Sequence, residues 1–548
     1  MPVSARNIFN RYFSRDPALG GGLSTHLIGR WLFLRALGLI YFSAFLALVF
    51  QIKGLIGPDG VLPAGDYLLR VAQSLGPLRY WYAPTLLWIS SSSHALMALC
   101  WVGLGAALLL FANLWPRMML LVCFVCFLSF VGAGQDFANY QSDGMLLEAG
   151  FLSLFLAPRG LMPGWGVRSL GSRASYLLLL WEWFRIYFES GVVKLISGDP
   201  TWRNFTAMYE YYQNGPLPTW IGWYLQHLPH WFHIATAVLT LVMELGLVFM
   251  ALLPGRWRVA CFFIVTLWQA GVILTANYAF LNYLVLVLAF LLLDDVYLRR
   301  LVPARWTPGV VTLKLKEEDA EALAATGSAG LAPATLDGSA PRLWDALRVA
   351  ATSVLFCWMF YATTVPLVRM LWREAPLPSQ PLIALEPLRI ANQYGLFAVM
   401  TPHRYEIEFQ GSMDGKTWVA YPFRFKPQEL TARPGIYAPY QPRLDWNLWF
   451  ASLGSWTDNL IVPRTEERLI SNDRDVLGLF AGNPFAAAPP RYVRAVLWQY
   501  WFSSASEKRV NGVWWRRQML GTYAPTIVRG VDGKLTIAEE PTLSGPPG

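Results

Sequence analysis

Cysteine and charged residues are both scarce in this sequence. It has 5 cysteines in 548 residues, and its charged fraction is 14% against a hydrophobic fraction of 55%. An ordinary soluble domain has about 25% charged residues, so this composition argues against a soluble protein. The few cysteines all lie within apolar stretches, which argues against a disulfide-bonded framework. We therefore predict an α-helical polytopic membrane protein.

Motifs of soluble enzymes and of metal sites are also missing. The sequence has no glycine-rich phosphate loop, no nucleophile elbow and no paired-carboxylate motif, which argues against most soluble-enzyme chemistry. His227, His230 and His233 have an H-x-x-H-x-x-H spacing, but Pro229 argues against a common ligand face. We expect no metal, no cofactor and, by the same argument, no enzymatic activity.

The net charge of +9 does not indicate nucleic acid as a partner. Many basic residues lie in short connectors between apolar runs, a pattern that holds loops on the cytoplasmic side of a membrane. We therefore expect the lipid bilayer, and no nucleic acid, as a partner. Residues 1–30 have no short apolar core followed by a cleavage site, so we expect the first apolar run to be an uncleaved anchor.

Apolar runs of membrane-spanning character recur from residue 28 to residue 365. Crossing about 30 Å of hydrocarbon takes about 20 apolar residues, and we predict about nine transmembrane helices with a cytoplasmic N-terminus. The fourth run is short and holds Glu148, so it either crosses or forms a re-entrant hairpin. The runs are residues 28–50, 94–114, 118–134, 145–156, 176–196, 231–253, 259–276, 280–293 and 345–365.

Composition divides the chain into four parts. We predict a membrane helical bundle at 1–301 and a flexible cytoplasmic linker, rich in Ala, Gly, Pro and Thr, at 302–343. A last transmembrane helix follows at 344–370, and an extracytoplasmic, β-rich soluble domain follows at 371–548.

The C-terminal part has the pattern of a sandwich-like β domain. Residues 405–409 alternate with period two, Asp414-Gly415 predicts a hairpin turn, and 418–425 predicts a returning strand. Many short strands with proline-rich connectors predict a β-sandwich. The segment 480–518 is predicted to be helical or mixed, and its aromatic stretch 491–502 is predicted to pack on the sheet.

The predicted span 176–196 carries charges that need shelter from lipid. A charge at the centre of a membrane helix costs about 2.5 to 3.5 kcal/mol, so such groups face a protein interior and find partners there. At about 100° per residue, Glu182, Arg185 and Glu189 share one stripe of the helix. This spacing predicts an internal ion-pair network that holds helices together.

Lys194 lies about 140° from that stripe, so its partner must come from another span. Glu148 is the first candidate, with Asp143 and Asp199 next, and we favour a structural Lys194–Glu148 pair over a reactive lysine. The predicted buried polar network consists of Asp143, Glu148, Glu182, Arg185, Glu189 and Lys194.

A series of short motifs runs in one order from Asn139 to Gln518. They are SDGMLLEAGF at 142–151, SGVVKL at 190–195, PTW at 200–202, HLP at 227–229, NY at 277–278, FLN at 280–282, LDD at 293–295, YGLF at 394–397, GSMDG at 411–415, QPRLDW at 441–446, YWF at 500–502 and WWRR at 514–517. In this order they resemble the lipase maturation factors, which are endoplasmic-reticulum membrane proteins in animals and have bacterial relatives.

The resemblance implies a membrane protein that helps exported lipases fold or assemble into active dimers. Its partner would be an exported, lipase-like client protein. The composition, rich in Arg and Ala, is typical of a bacterial chain, so we expect the bacterial inner membrane, or the endoplasmic-reticulum membrane if the chain is eukaryotic. The motif positions implied to matter are Gly191, Asp199, Trp202, Arg443, Asp445, Trp446, Trp514, Trp515 and Arg516.

A second resemblance supplies the alternative function. GVVKL at 191–195, followed by Asp199 and Trp202, is similar to a helix of the vitamin K-dependent γ-carboxylases and their bacterial relatives. That similarity implies Lys194 as a base toward a quinone-like or other lipid-soluble substrate, with Glu148 as its partner. A lysine acts as a base only where desolvation favours its neutral form. A transporter with inverted repeats is disfavoured, since the two halves show no matching broken helices.

Overall fold

The computed structural model describes residues 26–167, 169–253, 255–298 and 343–543. The linker predicted at 302–343 lies outside these residues apart from Leu343. Helices form most of the chain up to Leu371, and a β-sheet with further helices follows from Arg404.

Helices α1 to α16 precede the sheet. Ser92 and Ser172 cap α4 and α7, since their hydroxyl oxygens accept bonds from the backbone N–H groups of Ala95 and Ser175. The bounds are Leu27–Ile56 (α1), Ala64–Leu75 (α2), Arg79–Tyr82 (α3), Ser93–Phe111 (α4), Pro116–Val131 (α5), Gln141–Leu156 (α6), Arg173–Ile196 (α7), Pro200–Arg203 (α8), Tyr211–Asn214 (α9), Trp220–Gln226 (α10), His230–Leu245 (α11), Arg256–Thr275 (α12), Leu281–Ala289 (α13), Asp295–Leu298 (α14), Leu343–Leu371 (α15) and Gln380–Ile383 (α16).

Within the described residues, five helices are long and apolar enough to cross a membrane. They are Leu27–Ile56, Ser93–Phe111, His230–Leu252, Arg256–Thr275 and Leu347–Leu371, with shorter apolar helices at Pro116–Val131 and Leu281–Leu292. This supports a multi-pass membrane protein, while the count of about nine spans stays a prediction. Helix α6 runs unbroken through the fourth apolar run, and whether this run crosses or re-enters the membrane stays a prediction.

Helix α7 lies in the middle of the bundle. It contacts α6, α11, α13 and α15, while α1 packs along α4, and α5 packs on both α4 and α6. Glu182, Arg185 and Glu189 of α7 are completely buried, at 0% exposure. The surrounding helices thus supply the sheltered interior that the charges of α7 require.

Two glycines allow helices to approach closely. A Cβ at Gly191 of α7 would lie 2.8 Å from Leu245 Cδ2 and 2.9 Å from Glu244 Cβ, both on α11. A Cβ at Gly150 of α6 would overlap the hydroxyl of Tyr41 on α1. Any larger residue would push these helices apart. The contact at Gly191 brings α11 next to the last turns of α7.

Six antiparallel strands form one sheet in the order β2-β1-β3-β5-β6, with β4 also paired to β3. The register of β1 on β3 runs from Arg404 opposite Tyr500 to Ser412 opposite Tyr492. The strands are Arg404–Ser412 (β1), Val419–Ala420 (β2), Tyr492–Phe502 (β3), Trp515–Thr522 (β4), Thr526–Arg529 (β5) and Leu535–Glu539 (β6). Helices Arg443–Ala451 (α17), Ile461–Ile470 (α18), Arg474–Leu477 (α19) and Ala505–Asn511 (α20) complete this region.

Part of the predicted β architecture is wrong. Among the described residues there is one sheet packed against α17 and α18, and not the two facing sheets of a sandwich. Strand β1 is buried on both faces although no second sheet covers it. Its polar face can be buried because the carboxylates of Glu406 and Glu408 pair with Lys426 and Arg517.

The predictions of a hairpin and of a mixed segment are both confirmed, whereas the expected packing of the aromatic stretch on the sheet is wrong. Strand β1 turns at Asp414-Gly415 into β2, although only Val419–Ala420 of the predicted returning strand pairs with it. The segment 480–518 holds β3, α20 and the start of β4. Its aromatic stretch 491–502 does not pack on the sheet but forms β3, which pairs with β1, β4 and β5. The predicted division of the chain at residues 301, 343 and 370 stays a prediction.

Candidate functional site

The charged stripe of α7 is partnered by two other parts of the chain. Arg185 makes an ion pair with Glu148 of α6, and its Nη1 donates to the backbone oxygen of Asn392, at 2.6 Å. Glu182, Arg185 and Glu189 are all buried on α7. The ion pair of Arg185, however, crosses to α6 and does not stay on its own helix.

The carboxylates of this cluster hold the segment that leads into the sheet. The Tyr394 hydroxyl donates to Glu148 Oε2 at 2.9 Å and lies 3.5 Å from Glu182 Oε1. The backbone N–H of Tyr394 donates to Glu189 Oε2 at 2.6 Å, and that of Asn392 donates to Glu148 Oε2 at 3.1 Å. Carboxylates of α6 and α7 therefore satisfy the backbone of a segment about 200 residues away in sequence.

The predicted Lys194–Glu148 pair is wrong. Lys194 Nζ donates to Glu244 Oε1 of α11 at 2.9 Å, to the backbone oxygen of Leu396 at 2.9 Å and to that of Ser190 at 3.2 Å. These three acceptors use the three donors of the ammonium group. Glu244 was missed, although it is the only acidic residue in the apolar run 231–253.

Three motif positions complete the support of the segment after Tyr394. The Asp199 carboxylate caps α8 through the N–H of Thr201, at 2.8 Å, and accepts from the backbone N–H of Met400 at 2.6 Å. The Trp202 indole N–H donates to the oxygen of Phe397 at 3.0 Å, and Lys194 Nζ lies 5.1 Å from the Trp202 ring. Gly191 contributes through the close helix contact described above.

A second buried ion pair joins α6 to α17. Arg443 forms a two-pronged pair with Asp143, with both N–O distances at 2.8 Å, and also donates to the oxygen of Phe137 at 2.6 Å. Both side chains are 1% exposed. The pair links the motif SDGMLLEAGF to the motif QPRLDW, a contact that the spacing of neither motif predicts.

Asp445 lies in the same turn of α17 as Arg443, and its side chain is buried. Burial raises the pKa of the Asp445 carboxyl to about 7, while the positive charge of Lys426 acts in the opposite direction. Lys426 itself pairs with Glu406 at 2.9 Å and donates to the oxygen of Ile407, also at 2.9 Å. Asp445 thus belongs to a polar layer between α17 and β1.

The tryptophans of the motifs at 441–446 and 514–517 pack against other aromatic rings. Trp446 packs edge-on against Tyr140, with ring centroids 5.4 Å apart. Trp514 packs against Trp223, at 5.5 Å, and Trp515 is buried beside the ring of Phe502.

Other polar motif residues lie outside this cluster. Arg516 is exposed, with Nε 3.7 Å from a Glu507 carboxylate oxygen. The His227 ring contacts the backbone oxygens of Trp223 and Ser503, at 2.7 and 3.0 Å. In the part of the chain that the structure describes, no group of three or more His, Cys, Asp or Glu side chains could hold a metal ion.

A groove of about 440 Å³ opens between the helical bundle and α17. Trp446 and Trp449 line it, both 6% exposed, and neither indole N–H has a hydrogen-bond partner among the described residues. An unpaired buried donor is costly, so both indoles lack a hydrogen bond that would stabilise them. Aromatic and apolar walls come from residues such as Tyr140, Tyr211, Tyr278, Phe397, Phe450 and Leu453.

The comparisons with known proteins cover both parts of the chain. The lipase maturation factor transmembrane domain matches residues 28–300, and the lipase maturation factor C-terminal domain matches residues 390–525. No solved structure matches the chain.

Individual relatives match over nearly the whole length. Lipase maturation factor 2 of Gallus gallus is 32% identical, over 94% of this chain and 82% of that protein. Lipase maturation factor 1 of Bos taurus is 32% identical, over 92% of this chain and 90% of that protein. Lipase maturation factor 2 of Homo sapiens is 32% identical, over 91% of this chain and 83% of that protein. The chain therefore belongs to the lipase maturation factor family.

Proposed function

We propose that this chain is a membrane-bound maturation factor that assists the folding or assembly of exported lipase-like proteins. The observation that carries the proposal is the similarity over nearly the whole length to relatives named lipase maturation factors. The similarity includes both family domains.

The membrane placement that goes with this function has the N-terminus in the cytoplasm and the β-rich domain outside. The basic residues of the short connectors support it, because Lys and Arg retain loops on the cytoplasmic side. An exported client would then meet the β-rich domain in the periplasm of a bacterium, or in the lumen of the endoplasmic reticulum in a eukaryote.

The groove beside α17 is the proposed client site. An extended client segment offers backbone carbonyl oxygens to the unpaired indole N–H groups of Trp446 and Trp449 and apolar side chains to the aromatic walls. Such binding depends little on the amino-acid sequence of the client, which suits a factor that meets incompletely folded chains.

The maturation role is tested by co-expressing an exported lipase with this chain and measuring lipase activity per amount of secreted lipase. We expect wild type to raise this specific activity several-fold. Trp446→Phe with Trp449→Phe keeps both rings and removes both N–H groups, so it should lower the gain and the yield of client crosslinked in the groove. Trp101→Phe is the matched control, because Trp101 lies on α4 with 55% of its surface exposed.

The proposal fails if lipase specific activity is the same with and without the chain. The client site alone fails if the double tryptophan variant, present in equal amount, matures and crosslinks the lipase as well as Trp101→Phe.

The enzyme alternative gains no support from the matching families or the three relatives, all of which are lipase maturation factors. All three donors of the Lys194 ammonium are used, by the Glu244 carboxylate and by two backbone oxygens, an arrangement that suits a structural role.

Replacing the Lys194–Glu244 pair with apolar residues distinguishes a maturation factor from an enzyme that uses Lys194 as a base. Lys194→Met alone leaves a buried carboxylate unpaired and should cost about 3 to 5 kcal/mol of stability. Lys194→Met with Glu244→Leu should recover most of that loss, since a packed apolar pair replaces a buried ion pair at little cost. Thermal melting in detergent measures stability, and lipase specific activity measures function. A stable double variant with no maturation activity would favour the lysine-base enzyme.

A further inference from the structure

A second cavity, of about 410 Å³, lies between α7, α11 and α12. Its walls are mainly apolar, with Met243 and Leu239 on α11 and Ile264, Leu267 and Val272 on α12. This volume falls within the range of about 300 to 1,000 Å³ typical of ligand sites.

The cavity is bounded on one side by residues that face away from the protein. Leu239, Ile264 and Leu267 line it and are 44%, 39% and 78% exposed. They belong to two helices that are long and apolar enough to cross a membrane. In a bilayer this side meets hydrocarbon and not water, so a lipid chain can enter between α11 and α12.

At the polar end of the cavity Gln269 has an unpaired acceptor oxygen, and the ammonium group of Lys194 is already fully hydrogen-bonded. Gln269 is 6% exposed; its Nε2 donates to the Tyr187 hydroxyl at 2.7 Å, and its Oε1 has no partner within the described part of the chain. The donors of Lys194 are used by Glu244 and two backbone oxygens, as described above. A ligand that satisfies Gln269 must therefore bring a hydrogen-bond donor.

We propose that this cavity binds a neutral lipid with a free hydroxyl group, of the acylglycerol class. Its acyl chain fills the apolar part, and its hydroxyl donates to Gln269 Oε1. A fatty acid fits less well, because its carboxylate would face Glu244 without a free cationic partner. A triacylglycerol has no donor to offer, so it leaves the amide oxygen unpaired.

Gly271 offers a way to obstruct the open side of the cavity without disturbing the fold. Gly271 lies on α12 and lines the cavity, and a Cβ built there has no atom within 4 Å. Gly271→Leu therefore projects into open space and also improves helix propensity. Gly105→Leu is the matched control, because a Cβ at Gly105 on α4 also meets nothing within 4 Å and Gly105 does not line this cavity.

The experiment uses the full-length protein in phosphatidylcholine nanodiscs and a photoactivatable diacylglycerol probe. We expect saturable labelling of α11 and α12 in wild type and in Gly105→Leu, and loss of that labelling in Gly271→Leu. Unlabelled diacylglycerol should compete, whereas its methyl ether, which lacks the donor, and oleate should compete poorly. In Gln269→Met the advantage of diacylglycerol over the methyl ether should fall by about fivefold, the effect of losing one hydrogen bond.

Two results would overturn the proposal. One is labelling of Gly271→Leu equal to that of Gly105→Leu, which would place the probe elsewhere. The other is equal competition by oleate or the methyl ether in wild type, which would show that the hydroxyl is not recognised.

Discussion

Arg185→Leu is expected to leave little folded protein in the membrane. The substitution removes the partner of Glu148 and the cation nearest to Glu182 and Glu189, all at 1% exposure or less. Breaking one buried ion pair costs about 3 to 5 kcal/mol, and a whole domain is stable by only about 5 to 15 kcal/mol. The measurement is the amount of monodisperse protein after detergent extraction, together with its melting temperature.

Arg185→Lys tests whether charge alone is enough. The guanidinium reaches both the Glu148 carboxylate and the Asn392 backbone oxygen, and a single ammonium cannot reproduce this fork. We therefore expect a melting temperature between those of wild type and Arg185→Leu. Arg464→Leu is the control, because its pair with Glu467 is exposed on both sides and is worth at most about 1 kcal/mol. An Arg185→Leu protein as stable as Arg464→Leu would contradict the role assigned to this cluster.

Arg443→Met is expected to loosen α17 from the bundle while the membrane helices stay folded. Asp143 would be left buried without its cation, at a cost of about 3 to 5 kcal/mol. Hydrogen exchange in detergent should show loss of protection in Arg443–Ala451 and at the first turn of α6. Limited proteolysis should cut more readily between the bundle and α17.

The double variant Asp143→Leu with Arg443→Met provides the complementary measurement. Two apolar side chains of suitable size can replace a buried ion pair with little loss, so the double variant should recover most of the stability. Protection of α17 equal to wild type in Arg443→Met alone would show that the pair does not hold this contact.

The sheltered charges of α7 could be predicted from the sequence because they depend on helix period and membrane energetics alone. Four ionisable residues on one apolar helix must face protein, and a period of 3.6 residues places Glu182, Arg185 and Glu189 together. The structure buries all of them. Which neighbour each one meets could not be predicted, because helix period gives a direction and not the identity of the helix that lies there.

Lys194 illustrates the missing information. Its direction away from the stripe was predictable, but its partner was decided by the close packing of α11 on Gly191, which brings Glu244 within 2.9 Å. A lone carboxylate inside the run 231–253 was the available signal. An unpaired acid in an apolar span needs a cation as much as an unpaired lysine needs an acid.

The long-range contacts were beyond sequence reasoning for a different reason. Arg443 and Asp143 are 300 residues apart, and neither has a spacing rule that connects it to the other. The aromatic stretch 491–502 was expected to pack on the sheet and instead forms strand β3, because aromatic residues suit either position when both faces are buried. Its role as a central strand follows from pairing with β1, which no local pattern reports.

The pairing of Asp143 and Glu148 with residues of the C-terminal domain also affects the order in which the protein folds during synthesis. Synthesis proceeds from the N-terminus, so α6 and α7 leave the ribosome long before Asn392 and Arg443 exist. Until translation passes Arg443, the acidic groups of α6 have only part of their final surroundings. A nascent chain truncated before that point is therefore an unfinished membrane bundle, and quality-control proteases would recognise it as one.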